Sequence, residues 1–160
     1  MRRKSKIFIL LQEGENLLPY ISYLKELQNI FNKELVFLVL KKEKIISDLI
    51  ETYLIACSFA EEGAIDYAVD ELKGLTSYTK KYVNELINQL KAFSFENFEI
   101  LIVNKELFKE IKKLMEKEFK IELFVISPEI NKEFFSRHKG IKRLVQEFSV
   151  PFITLVPKTS

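Results

Sequence analysis

Apolar residues in this chain gather in five short runs, at 7–11, 35–40, 98–103, 121–126 and 152–156, and between the runs they recur at helical spacing. Each run is rich in Ile, Val, Leu and Phe and is nearly continuous rather than alternating. Strands buried on both faces have this pattern, because neither face has to meet water. The order predicted is β-α-β-α-β-α-β-α-β, and such alternation calls for a parallel sheet covered by helices on both sides, a three-layer α/β/α domain.

The helices have their own signals. The first follows Asn16, a capping residue, with Pro19 in the opening turn and Tyr20, Leu24, Leu27 and Phe31 as its inner stripe. Another is predicted after Asn104, with Leu107, Ile111, Leu114 and Met115 inward, and a last one over 140–148, with Ile141, Leu144, Val145 and Phe148. The stretch from 41 to 97 is long. Ile45, Leu49, Tyr53 and Leu54 have helical spacing, and Ser58 with Glu61 has the form of a capping box. Ile65, Ala68, Leu72, Leu75, Tyr82, Leu86 and Leu90 continue a stripe over many turns, with Gly74 its weak point. Heptads are not sustained, so the stripe reads as core packing rather than a coiled-coil seam. The Phe-rich segment 93–98 fits either a buried helix-to-strand corner or an aromatic partner surface.

Composition narrows the class. With 160 residues, 48% of them hydrophobic, the chain suits one domain over 1–160 with one core. The single cysteine, Cys57, excludes an internal disulfide framework and, in an apolar setting, reads as a packed thiol. One histidine, His138, excludes multi-histidine metal sites. A net charge of +2 gives no bulk attraction for nucleic acid. The basic start, Arg2, Arg3, Lys4 and Lys6, precedes only five apolar residues, too few for a secretory core, and no transmembrane run follows; a soluble cytoplasmic protein is expected.

The order of elements and the last forty residues resemble the universal stress protein family. The likeness rests on the first strand and turn (KIFILLQEGEN from Lys6), the long helical segment after the second strand, and the ending in which Gly140 opens a short helix leading to Pro151 and a final strand. The resemblance implies a five-stranded parallel sheet in the order 3-2-1-4-5 and a homodimer joined through the last strand, at Phe152, Thr154 and Val156. In such a sheet a crevice opens where the connections from strands one and four diverge, and ligands bind there. The loops around it are 11–15 and 126–140, with Leu40 at the end of strand two nearby.

Nucleotide-binding members of that family carry G-x2-G-x9-G-[ST] after strand four, glycines admitting phosphate to the backbone and a hydroxyl adding a hydrogen bond. Laid on this chain, those positions are Ser127, Ile130, Gly140 and Ile141, so only one glycine is kept. Pro128 removes a further N–H, and the acidic position after strand one is Gln12 or, one residue on, Glu13. The resemblance therefore assigns Gln12, Glu13, Leu40, Ser127, Lys139, Gly140, Ile141 and Lys142 to the ligand side of the crevice, with weak or absent ATP binding expected.

Candidate chemistry beyond this is sparse. Arg137, His138, Lys139, Lys142 and Arg143 surround the predicted start of the last helix, where cations oppose the helix dipole. They form either an anion site or a solvated turn balanced by Glu129, Glu133 and Glu147. Glu13, Glu15, Glu61 and Glu62 read as exposed charge, and Ser127, His138 and Asp66 or Asp70 lack a nucleophile-elbow sequence. The function expected is non-enzymatic: a small regulatory or interaction protein, with an adenine-nucleotide binder using an altered loop as the alternative.

Overall fold

The computed structural model describes residues 4–41, 52–57, 77–103, 112–113, 119–132, 146–147 and 149–156. In chain order these form β1 (Lys4–Gln12), α1 (Ile21–Phe31), β2 (Glu34–Leu40), β3 (Thr52–Cys57), α2 (Ser77–Ala92), β4 (Phe98–Val103), β5 (Phe119–Ile126) and β6 (Phe152–Thr154). The sheet order is β3-β4-β2-β1-β5-β6. All neighbours pair in parallel except β3, which runs antiparallel to β4. The five apolar runs thus make the expected parallel sheet in the expected order, with β1 at its centre.

The strand β3 corrects the helix read from Ile45, Leu49, Tyr53 and Leu54. Tyr53 and Leu54 pair with Ile102 and Leu101 of β4, while Ile45 and Leu49 lie outside the described residues. Thr52, Tyr53 and Ile55 favour extended backbone, and a run of six residues is too short for periodicity to separate strand from helix. An antiparallel edge strand on a parallel sheet is a common way to extend such a fold.

Alternation along the central strands divides the core. Ile7, Ile9, Leu11, Phe37, Val39, Ile100 and Ile102 face one side, where they meet Leu17, Ile21, Leu24 and Leu27 around α1 and Val83, Leu86, Ile87 and Leu90 of α2. Phe8, Leu10, Val36, Leu38, Leu101, Val103, Phe124 and Ile126 face the other. The chain moves the same way across the sheet from β1 to β2 and from β2 to β4, so right-handed crossovers put α1 and α2 on the same face. Residues 112–113 and 146–147, in the two connections running the opposite way, are helical as well.

Local signals hold with one change of phase. Asn16 Oδ1 accepts the N–H of Leu18 at 3.1 Å, and a 3-10 turn over Leu18–Tyr20, containing Pro19, leads into α1. That tighter turn starts the buried stripe at Leu17 and Ile21, so it rotates away before Phe31, which is exposed. At the helix-to-strand corner Phe95 and Phe98 are buried and Phe93 is exposed, the core reading of the Phe-rich segment. Lys25 of α1 ties the corner by donating to Ser94 O at 2.7 Å, with its ammonium 5.1 Å from the Phe95 ring centre.

At the outer edge, β6 is shorter than its apolar run. Leu155 N–H still donates to Ile126 O at 2.8 Å, but Val156 is exposed. No helix among the described residues is long and apolar enough to cross a membrane.

Candidate functional site

Six described polar or charged side chains are buried, and five of them, Gln12, Glu13, Lys41, Thr79 and Ser127, gather at the carboxyl ends of the central strands. Buried polar groups are costly unless they are bonded, so such a gathering marks a built network.

The network starts where β1 ends. Gln12 Nε2 and the Glu13 N–H both donate to Leu40 O, at 3.2 and 2.9 Å, which ties the end of β1 to the end of β2. Gln12 Oε1 is buried and has no partner among the described residues. Glu13 points toward α2, where Thr79 Oγ1 donates to its Oε2 at 2.6 Å. Gly14 turns the chain with φ +91°, and a Cβ there would lie 2.7 Å from the Tyr78 hydroxyl, so backbone and space both favour glycine.

The turn returns Glu15 over the crevice. Its Oε1 accepts the Ser127 hydroxyl at 2.6 Å and the Gln12 N–H at 2.9 Å, and its Oε2 accepts the Glu129 N–H at 3.1 Å. The carboxylate therefore sits among donors from β1 and from the turn after β5. Ser127 also caps that turn, its Oγ accepting the Ile130 N–H at 3.2 Å. From the helical side, Tyr82 donates its hydroxyl to Glu15 O at 2.9 Å. Burial, then the charges of Glu15 and Glu13, push the Tyr82 hydroxyl well above the usual tyrosine range, and burial with Glu15 raises Tyr20 too.

Of the residues singled out in the sequence, Gln12, Glu13, Leu40 and Ser127 come together here. Lys139, Gly140, Ile141 and Lys142 lie outside the described residues, as do Arg137, His138, Arg143, Glu61 and Glu62. Ile130, singled out in the sequence beside Ser127, is fully buried in the second core cluster. Glu13 is 4% exposed, which corrects its reading as a surface charge. Glu15 is half-buried and bonded to the Ser127 hydroxyl and two backbone N–H groups.

Thr79 and Tyr82 were not marked as site residues by sequence reasoning. Their signal was present in Thr79, a polar residue in line with the apolar positions Val83, Leu86 and Leu90 on the inner side of α2. No group of three or more His, Cys, Asp or Glu side chains among the described residues is arranged to hold a metal ion. Comparison with protein-family models, with curated proteins and with solved structures finds no match.

Proposed function

We propose that this chain is a universal stress protein-like regulatory or interaction protein, without catalytic chemistry, whose nucleotide crevice is filled by its own side chain. The observation that carries this reading is the seat of Glu15. The Ser127 hydroxyl and the Glu129 N–H stand at the turn after β5, where relatives with the glycine loop would present donors to phosphate, and both are engaged by the Glu15 carboxylate. A phosphate entering there would displace a charge-assisted bond and meet the negative charges of Glu13 and Glu15. Ile130 adds bulk where the loop of those relatives is bare.

The test is calorimetry of the full chain with magnesium ATP. The dissociation constant expected is above about 100 μM, less than roughly 5.5 kcal/mol of binding. Low-micromolar affinity overturns the reading.

A second reading, an adenine-nucleotide binder with an altered loop, is favoured by Gln12. Its buried, unpartnered Oε1 is an acceptor suited to an exocyclic amine. Adenosine, which lacks phosphate, separates the two: binding by adenosine that is lost in Gln12→Leu supports the second.

The partner in the proposed regulatory role is a second copy, joined through the outer edge of β6. Phe152 and Thr154 are half-buried, Val156 is 73% exposed, and an uncovered edge strand invites pairing. Sedimentation at tens of micromolar, on the scale of typical reversible association, gives a dimer that Thr154→Lys weakens. A monomeric parent overturns this part.

A further inference from the structure

Beside the crevice lies a cavity that shares Glu15 and Tyr82 with the network. It is a cleft of about 320 Å³ between the β1–α1 loop and α2. Its α2 wall is made by Tyr82, Glu85 and Gln89, spaced three and four residues apart and so stacked on one stripe, with Leu86 beside them; Asn16 and Leu18 form the other wall.

The character of this cleft is specific. Tyr82 is held in place by the bond from its hydroxyl to Glu15 O, which leaves its ring as a fixed wall. Asn16 Oδ1 is engaged by the Leu18 N–H. Glu85 lines the cleft as an exposed carboxylate with no hydrogen bond or ion pair among the described residues. Among the described residues no lysine or arginine lines the cavity, although the chain as a whole carries a net charge of +2. Glu15 also lines the cleft, and its charge, with that of Glu13, acts on Tyr82. A cavity with an aromatic wall, an unpaired carboxylate and two leucines matches one ligand chemistry. An aromatic face attracts a cation, a carboxylate pairs with it, and apolar side chains take up its stem. The volume is at the lower end of small-molecule sites.

We propose that this cleft binds a small organic cation, a guanidinium or primary ammonium group on a short aliphatic stem. Glu85 is its counter-ion, the Tyr82 ring is its wall, and Leu18 and Leu86 pack against the stem. The site shares Glu15 and Tyr82 with the crevice, but its test does not depend on the nucleotide reading.

Two probes distinguish a free ligand from a partner's side chain: agmatine, and the peptide acetyl-Gly-Arg-Gly-amide. Each is titrated into the isotope-labelled full chain and followed by amide chemical shifts. Saturable shifts are expected at Asn16, Leu18, Glu85 and Gln89, with a dissociation constant on the order of 1 mM. Glu85→Gln is expected to weaken binding about fivefold, the scale of an exposed ion pair, while Glu26→Gln, on the exposed side of α1, leaves it unchanged. Binding by agmatine assigns a free small molecule, and binding by the peptide alone assigns an arginine of a partner protein. The proposal is overturned if neither probe shifts these amides at about 10 mM, if Glu85→Gln binds as the parent does, or if Glu26→Gln weakens binding equally.

Discussion

At the amino end of the sheet, Lys6 of β1 places its ammonium 3.0 Å from Glu34 of β2 and 2.9 Å from Glu99 of β4. At the carboxyl end of β1, Glu13 and Glu15 are held by the hydroxyls of Thr79 and Ser127 and by two backbone N–H groups. Both ends bury charge, but they compensate it differently. The ammonium and its carboxylates lie on the side of the second core cluster and bridge three strands, a contact that fixes register, since a slip of one residue would turn these side chains to the other face. Hydroxyls and N–H groups, by contrast, are also what a bound anion would use. The first end serves the fold alone. At the second, these donors are engaged by the chain's own carboxylates.

This contrast predicts unequal losses. The largest is expected at the charged triad. Lys6→Met strands Glu99, whose Oε2 already lacks a partner among the described residues, and should cost about 3 kcal/mol in urea unfolding. Adding Glu99→Leu should restore most of that loss, because removing both charges removes the desolvation penalty as well. A neutral Lys6→Met would erase the distinction between the two ends. Next comes Glu15→Ala, which leaves the Ser127 hydroxyl and the N–H groups of Gln12 and Glu129 to water and should cost about 2 kcal/mol. Glu15→Gln should lose less, since an amide oxygen still accepts.

The smallest effect is confined to alkaline solution. The Tyr82 hydroxyl is raised in the folded chain, whereas in the unfolded chain it ionises near the ordinary value of 10.0. Its share of stability is therefore complete below pH 10 and is lost as pH rises beyond it, at up to about 1.4 kcal/mol per pH unit. Tyr82→Phe should flatten that decline. An unchanged slope would mean that burial and the neighbouring carboxylates do not hold the hydroxyl in its protonated form.

The parallel sheet was legible because burial on both faces leaves nearly unbroken apolar runs, as in 35–40 and 98–103. The strand β3 was not, since the apolar positions around Tyr53 and Leu54 satisfy helical spacing as well as extended pairing. That Gln12, Glu13 and Ser127 come together was legible because the topology alone brings those strand ends to one place. Glu15 read as exposed charge for a different reason: its partner Ser127 is 112 residues away, and local sequence carries no trace of so distant a bond. The stripe of α1 failed only at Phe31, where the 3-10 turn had shifted its phase.

The central place of β1 bears on how the protein is made. This strand precedes β2 closely in the chain and can pair with it early, but its other side waits for β5, more than a hundred residues later in the chain. Until then Ile7, Phe8, Ile9, Leu10 and Leu11 form the open border of an incomplete sheet. Late pairing of this kind slows folding and leaves the nascent chain prone to stick to its neighbours. Production at lower temperature, or with holding chaperones, should therefore raise the soluble yield more than any surface substitution.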